Sequence, residues 1–477
     1  MTPITIAKGD GIGPEIMDAT LKILNYVKAP LKYEEISIGK QQYLAGNTSG
    51  IAPESWQTIL NNKILLKAPI TTPQGSGYKS LNVTLRKTLN LFANVRPCKS
   101  FHPYVRTKHP EMDVVIIREN EEDLYAGIEH RQTDEVEQCL KLITRPGCEK
   151  ISRYAFEYAK SNNRKRVTCF TKDNIMKQTD GLFHKVFNEV AEDYPEIESD
   201  NMIVDIGTAK LAERPEDFDV IVAPNLYGDI ISDVTAQISG SVGLCGTSNI
   251  SEKCAMFEAI HGSAPDIAGQ GIANPSGLIM ASVHMLNHIG YGDIAQKIEN
   301  ALLKTLEDGY HTKDIYQDKL SKKLVNTGEF AEEICKNLGK TPKQLKKADY
   351  SQNSEIKFHP YKRKTYDKKS VGVDIFIHWK DTDAEQFGNA LAKAETDVLK
   401  LIMITNRGVK VWPKGFKQTF CTDHWRCRFV CDEGDDINPH DLVALYSSCI
   451  SKGFDVIKTE NLYYFDDKPG FSLGQGQ

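Results

Sequence analysis

The chain has 477 residues, 40% hydrophobic and 26% charged, with 59 Lys and Arg against 64 Asp and Glu for a formal charge of −5. That length holds about three domains of ordinary size, and so mild a charge excludes global recruitment to nucleic acid or an anionic membrane. No run reaches the ~18 apolar residues of a membrane helix, the N-terminus enters a strand pattern without a basic leader, and the 11 cysteines sit mostly in apolar runs; a cytoplasmic protein with reduced thiols is expected.

Ile4–Ala7 alternates as a short strand, runs into Gly9-Asp-Gly11-Ile-Gly13-Pro14-Glu15, and is followed by helical periodicity over Ile16–Val27. The glycines permit a tight strand-to-helix turn, and Pro14 suits a first helical position. The spacing is G-x-G-x-G rather than G-x-G-x-x-G, and no acid follows about twenty residues on, so a structural turn is expected in place of a dinucleotide fingerprint. A strand at Tyr33–Ile38, a helix at Pro53–Asn61 and a buried strand at Lys63–Ala68 come next. The hydroxyl- and glycine-rich segment from Thr71 to Lys79 then opens a helix from Ser80, with Leu81, Leu85, Leu89 and Leu91 on one face. Its N-terminal amides suit an anion, Arg86 follows, and Arg96 returns on the next strand. Arginines near hydroxyls and an amide (Ser80, Asn82) are what a polycarboxylate needs, because Arg binds carboxylate bidentately.

Val114–Ile117 ends in Arg118-Glu-Asn-Glu-Glu-Asp-Leu-Tyr125-Ala-Gly127, an Arg and a Tyr at the C-terminal end of a strand, where α/β folds place ligands. A helix at Cys148–Lys160 leads to the strand Arg166–Phe170, which delivers Lys172-Asp-Asn174 with a helix from near Ile175; a Lys opposite a metal and an acid can titrate low enough to act as a base. Asp205 follows the run Met202–Val204. The strand Phe218–Ala223 precedes Pro224-Asn-Leu-Tyr-Gly-Asp229-Ile-Ile-Ser-Asp233-Val, where a helix opened by Asn225–Gly228 would set Asp229 and Asp233 at i and i+4, about 5–6 Å apart on one face. Two such carboxylates suit Mg²⁺ or Mn²⁺, although acids in a first helical turn also occur as a solvated face favoured by the helix dipole.

Together KGDGIGPE, TTPxGxGxxSLNVxLRK, RENxEDLYAGIE, KDNIMK, NLYGDIISD and HGSAPDIAG with Asn274-Pro275 run in unbroken order from residue 1 to about 345. This series resembles the metal-dependent β-decarboxylating dehydrogenases, the isocitrate and 3-isopropylmalate dehydrogenase family. The resemblance implies a two-domain α/β/α fold that is not Rossmann, with residues 1–89 and 240–348 as the large cofactor-side domain and 90–239 as the small domain carrying the clasp and dimer interface. The S-L-N-V-x-L-R helix resembles members that act on isocitrate, where relatives acting on isopropylmalate place apolar residues. Carried over by matching position, Thr72, Ser80, Asn82, Arg86, Arg96 and Arg118 hold substrate, Tyr125 and Lys172 are the catalytic pair, and Asp205, Asp229 and Asp233 hold Mg²⁺ or Mn²⁺. Lys172 and Asp205 are implied to reach in from the second subunit of a homodimer with shared active sites. The segment between Tyr125 and Cys148 is short for an interlocking clasp.

For the cofactor the resemblance implies Thr72 and Glu258 near the nicotinamide, His261, Asp266, Ile267 and Asn274 near the adenosine, and Asn174, Gly262 and Ala264 as further cofactor-binding residues. Relatives that select NADP carry Lys-Tyr where this chain has Asp266-Ile267. A carboxylate accepts hydrogen bonds from ribose hydroxyls and repels a 2′-phosphate, so NAD is expected, with NADP the runner-up because Lys313 leaves a cation nearby. The expected reaction is oxidative decarboxylation of isocitrate to 2-oxoglutarate and CO₂. Homoisocitrate, 3-isopropylmalate and tartrate as substrates, and a catalytically silent regulatory subunit, are the alternatives.

Residues 349–369 are basic and weakly apolar and read as a linker. Residues 370–477 follow with the order βαββαβ, Val371–His378, Ala384–Val398, Lys400–Thr405, Thr419–Val430, Pro439–Lys452 and Phe454–Asn461, an α+β ferredoxin-like domain. Assembly into a larger oligomer, or effector binding, is the expected use. Cys421, His424, Cys427 and Cys431 imitate a zinc motif, but strand alternation sets His424 opposite the cysteines, which share a face with Trp425 and Phe429, so core packing is expected.

Overall fold

A computed structural model describes residues 1–71, 80–351, 356–432 and 437–474. Its chain divides into two compact units, Met1–Tyr125 with Leu142–Tyr361, and Ala126–Lys141 with Lys362–Gln477.

The first unit is built on one ten-stranded sheet, in the spatial order Leu31–Glu35, Thr2–Ala7, Ile64–Lys67, Ala255–Ala259, Gly246–Ile250, Ala93–Lys99, Asp113–Glu119, Val220–Ala223, Arg166–Thr171 and Glu198–Ile203. The first four strands are mutually parallel, as are the last four. Gly246–Ile250 and Ala93–Lys99 join these wings through antiparallel pairings. Helices cover the sheet, the most enclosed being Ser276–His288, whose residues Ser276–Val283 are all buried. This is the expected α/β fold, and it is not a Rossmann sheet.

Local sequence explains the elements. Gly13–Tyr26 forms a helix because Pro14 sits in its first turn and Ile16, Met17, Thr20, Ile23 and Leu24 recur on the buried face. It stops where Lys28 turns to φ 56° before Pro30. Leu81–Thr88 is capped by Ser80, whose hydroxyl accepts from Val83 N–H at 3.5 Å. Some boundaries depart from periodicity: the strand expected over Tyr33–Ile38 is Leu31–Glu35, the helix expected over Ala384–Val398 ends at Leu391, the strand expected from Thr419 begins at His424, and the helix expected near Ile175 begins at Thr179. Residues after Lys172 turn back on themselves first, with Ile175 and Met176 N–H donating to Lys172 C=O.

In the second unit six antiparallel strands lie in the order Val409–Trp412, Lys400–Asn406, His424–Val430, Lys368–His378, Asp455–Phe465 and Lys468–Pro469. The four long strands have the ferredoxin-like arrangement, with Ala384–Leu391 and Pro439–Ser451 as its helices. Val373, Ile375 and Ile377 oppose Phe429, Cys427 and Trp425 and form the buried face with Phe387, Leu391, Leu445 and Cys449. The opposite face is polar: Arg428 grips Asp374 through Nε at 2.8 Å and Nη2 at 3.0 Å, and His424 tilts against Phe376. Cys421 and Cys427 lie in the apolar core. The hairpin Glu129–Arg131 and Glu137–Cys139 belongs to this unit and is tied to it by Lys458 Nζ donating to Gln138 at 2.6 Å. No helix among the described residues is long and apolar enough to cross a membrane.

Candidate active site

Five neighbouring strands of the first unit each carry polar residues on one sheet face. Register makes this unavoidable: Lys67 lies beside Glu258, Glu258 opposes Thr247, Asn249 opposes Asn94, and Asn94 opposes Arg118, with Arg96 two residues on. The side chains meet accordingly. Lys67 Nζ is 2.7 Å from Glu258 Oε2, Asn249 donates to Glu258 at 3.0 Å, and Asn94 donates to Asn249 at 2.9 Å. Arg96 Nε then donates to Asn94 Oδ1 at 2.8 Å. Burial alone would raise the Glu258 carboxyl, but the Lys67 and Arg86 cations outweigh it and hold it at about 2.

The helix Asn225–Ile238 crosses over this stripe. Gly228 is required there, since a Cβ would lie 2.6 Å from Arg118 Cγ. At the next residue, Asp229 Oδ1 accepts from Arg118 and from Arg96 Nη2, and its Oδ2 accepts from the Tyr125 hydroxyl at 2.5 Å. Asp233 Oδ1 accepts from Arg96 Nη1 at 2.8 Å. Asp229 and Asp233 therefore share one helical face, held by guanidiniums. Burial opposes ionisation of Asp229, but Arg118, the Tyr125 hydrogen bond and Arg96 keep its carboxyl below the ordinary range. Tyr125 is raised by burial and by Asp229, and Arg118 is lowered to about 10, first by burial and then by Arg86.

Around this pair the substrate-side candidates are placed as follows. Arg86 is buried, with Nη2 3.5 Å from Glu258. Asn82 holds a buried amide oxygen, and Arg86 a buried Nε, with no hydrogen-bond partner among the described residues. Ser80 is exposed at the helix start. Thr72 lies outside the described residues.

Lys172 and Asp205 form a separate pair. Lys172 Nζ is 3.0 Å from Asp205 Oδ1, which stands in the first turn of Val204–Glu213, and that hydrogen bond lowers the Asp205 carboxyl. No hydrogen bond or ion pair among the described residues joins them to Asp229, although the helices Val204–Glu213 and Asn225–Ile238 pack together, and none brings the exposed Asn174 to the loops after Glu258. The three carboxylates Asp205, Asp229 and Asp233 are therefore not assembled within one chain.

The glycine turn after the first strand supports the loop His261–Gly269. Ile12 N–H donates to Ser263 C=O at 2.9 Å, Thr71 and Ser263 hydroxyls meet at 2.6 Å, and Glu15 accepts from Gly271 N–H. Gly11 has φ +60°, and a Cβ on it would lie 2.0 Å from Ser263 O. His261 Nε2 is buried without a partner among the described residues and fits a polar ligand group, while its Nδ1 meets Gly262 O at 3.0 Å. Ala264 takes φ 38° to turn the chain into Pro265–Ile267; Asp266 is exposed and Ile267 packs on the core. Asn274 is buried and donates to Asp314 at 3.0 Å, and Lys313, next to Asp314 in the chain, is exposed.

Sequence reasoning missed the supports of this site. Lys67, Asn94, Asn249 and Asn225, which accepts two hydrogen bonds from Arg118, went unremarked. Asn225 opens a helix, and for Lys67, Asn94 and Asn249 the signal was a polar residue inside a largely apolar strand. Glu119 is another: it is fully enclosed, accepts from Glu121 N–H at 2.7 Å, and is raised to about 8 by burial and then by Glu122. An acid protonated in the native state and ionised in the unfolded chain loses stability as pH rises from ~4.3 to its native value, by up to about 1.4 kcal/mol per unit. Glu119→Gln removes that slope, so the melting-temperature difference between variant and parent is expected to shift in the variant's favour from pH 6 to pH 8. A constant difference would place the proton elsewhere.

Residues 3–334 match the family model described as isocitrate/isopropylmalate dehydrogenase, and residues 368–477 match that of the bacterial isocitrate dehydrogenase C-terminal domain. The chain belongs to the isocitrate/isopropylmalate dehydrogenase family. Similar family members include the "Isocitrate dehydrogenase [NADP]" of Rickettsia felis, 56% identical over 100% of this chain and 99% of that one. The protein of the same name from Thermus thermophilus is 42% identical over 99% and 96%. A crystal structure of a Thermus thermophilus protein superposes with a TM-score of 0.91 at 41% identity, covering 100% of this chain and 96% of that one.

These names overturn the expectation of NAD as cofactor. Family members matching end to end are NADP enzymes by name, so the Asp266-Ile267 argument gave the wrong preference. The physical reason lies in exposure. Asp266 stands in solvent, where two unit charges 4 Å apart repel by only about 1 kcal/mol. A single charge discriminates strongly in a dry pocket and weakly at a wet rim.

Proposed function

We propose that the protein is an NADP-dependent isocitrate dehydrogenase that decarboxylates isocitrate to 2-oxoglutarate with Mg²⁺ or Mn²⁺. The observation that carries this reading is the charge of the stripe. Arg86, Arg96, Arg118 and Lys67 face Glu258, Asp229 and Asp233, which leaves one net positive charge, and a divalent ion would make it three. A tricarboxylate closes that to neutrality. The hard carboxylate donors of Asp229 and Asp233 fit Mg²⁺ or Mn²⁺, with Asp205 as the third ligand from a partner subunit. Bound there, the ion would lower the pKa of the substrate hydroxyl and stabilise the charge that forms as CO₂ leaves. NADP would accept the hydride from C2.

The chain's own residues do the remainder. Arg86, Arg96 and Arg118 bind and orient the carboxylates, helped by Ser80 and the unpartnered Asn82 oxygen's amide group. Lys172, oriented by Asp205, takes the hydroxyl proton in the neighbouring subunit's site. Tyr125 returns a proton at C3, its hydroxyl aimed by Asp229 and its ring under the Arg118 guanidinium at 4.9 Å. Glu258, fixed as an anion, lies toward the nicotinamide, and the loop from His261 through Ile267 with Asn274 takes the adenosine. The small and large domains, divided at residues 90 and 240, correspond in this reading to the two parallel wings. A cytoplasmic homodimer, extended through residues 370–477 to a larger assembly, completes it.

The test is an assay of the purified protein with isocitrate, Mn²⁺ and either cofactor. Turnover with NADP is expected to exceed that with NAD at least about tenfold in kcat/KM. No turnover with either would favour a regulatory subunit, and better turnover of isopropylmalate or homoisocitrate would displace the substrate assignment. Gly11→Ala is expected to cost about 1–3 kcal/mol through its backbone and the Ser263 clash. That loss is read as a lower melting temperature together with a raised KM for NADP at unchanged kcat; an unchanged KM would detach the glycine turn from the cofactor loop.

A further inference from the structure

The second unit holds a cluster that the catalytic reading does not use. Asp134, at the tip of the hairpin, meets His378, at the end of the strand Lys368–His378, and Asp423, just before His424–Val430; one ligand atom from each lies within 4.8 Å of the others. His378 is suspended between two carboxylates. Its Nδ1 is 3.3 Å from Asp455 Oδ2, and its Nε2 is 3.3 Å from Asp423 Oδ2. Nε2 is itself enclosed yet makes no hydrogen bond to a described residue.

This is the arrangement of a metal-binding histidine, in which a carboxylate on one ring nitrogen fixes the tautomer and leaves the other nitrogen's lone pair aimed at the ion. Metal–ligand bonds of 2.0–2.1 Å in a tetrahedron set ligands ~3.3–3.4 Å apart, the spacing of Nε2 and the Asp423 oxygen already present. Asp423 is held in place independently: its Oδ1 accepts from the Thr133 hydroxyl at 2.5 Å, its N–H donates to Glu135, and its carbonyl accepts from Trp379 N–H. Asp134 is exposed and carries Lys380 Nζ at 3.2 Å, a cation on a flexible stem. The carboxylates of Asp134, Asp423, Asp455 and Glu135 outnumber the neighbouring Lys380 and Arg131, a net negative charge that a divalent ion offsets.

We propose that Asp134, His378 and Asp423 form a zinc-class divalent metal site, with water in the fourth position, that staples the hairpin Ala126–Lys141 to the C-terminal domain. A nitrogen ligand favours Zn²⁺ over the Mg²⁺ or Mn²⁺ suited to the all-oxygen catalytic set. The staple has a structural purpose. The hairpin has two three-residue strands, too few to be stable alone, and a clip from residue 134 to residue 378 closes a long loop. The site is separate from the residues proposed for catalysis, so the inference stands or falls independently of that reading.

The experiment uses the full-length protein, stripped with chelator and titrated with ZnCl₂ in excess Mg²⁺, alongside Asp134→Asn and His378→Asn. One Zn²⁺ per chain is expected, with a Kd of about 10 µM or tighter, weakened at least about tenfold in each variant, and with isocitrate turnover unchanged by either substitution. Zinc is also expected to slow tryptic cleavage after Arg131 and Lys141 at least about fivefold in the parent and not in the variants. Asp134 is exposed, so its variant folds whatever His378→Asn does. No zinc uptake, or uptake equal in parent and variants, overturns the site. Cleavage that is indifferent to zinc but slows as pH falls through ~6.5 assigns the cluster to a protonated imidazole and overturns it equally.

Discussion

Asp229→Asn is expected to lower kcat at least about a thousandfold with either Mg²⁺ or Mn²⁺, while the protein keeps its native mass in solution. Asn preserves the shape of the side chain and can still accept from Tyr125, so the fold is spared. It removes the charge on which two guanidiniums and the Tyr125 hydroxyl converge. Arg118, 1% exposed, then has no carboxylate partner, and the incoming cation has lost a negative ligand. Asp233→Asn is expected to be milder, since the Asp233 side chain is 67% exposed against 32% for Asp229 and water can replace one of its oxygens. Steady-state kinetics over a metal titration, with mass measured by light scattering, checks both. Full activity in Asp229→Asn would remove the basis of the whole site.

The second large effect concerns sharing between subunits. Lys172→Met and Asp229→Asn are each expected to be inactive as pure proteins. Unfolded together and refolded at equal amounts, they are expected to recover roughly a quarter of parental activity: half of the dimers are mixed, and each mixed dimer has one site free of both substitutions. The prediction rests on the proposed homodimer and on Lys172 and Asp205 pairing with each other while Asp205 stands outside any carboxylate cluster with Asp229 and Asp233 in its own chain. Recovery near zero would place Lys172 and Asp229 of one chain in one site.

Much of this was legible in the sequence because periodic packing wrote it there. Leu81 and Leu85 are buried as helical spacing requires, while Leu89 and Leu91 are buried beyond the end of the helix at Thr88, and the turn at Asn225 does open the helix that carries Asp229 and Asp233. The tie between the glycine turn and the His261 loop was not legible, because Ile12 and Ser263 are 251 positions apart and meet through backbone groups that have no residue-type signature. Cofactor preference failed for another reason. Residue identity at 266 was read as if its charge acted in a dry pocket, and solvent exposure is a property of the fold. The hairpin Ala126–Lys141 was expected to act with the small domain, whereas its contacts group it with the C-terminal strands. Short polar strands carry no apolar face that would announce a partner.

The antiparallel seam has one more consequence. Along it, Asn94 donates to Asn249 and to Thr247, Asn120 donates to Asn249, and Asn249 donates to Glu258, all with little or no solvent. Apolar strands of Val and Ile can slide by two residues and still look satisfied. These amides cannot: any slip strands several buried donors at once, each costing about 1–3 kcal/mol. The seam therefore acts as a checksum on assembly, rejecting misaligned sheets before the two halves of the site can be set against each other, and it would be the place where a drifting descendant of this chain loses its fold before it loses its chemistry.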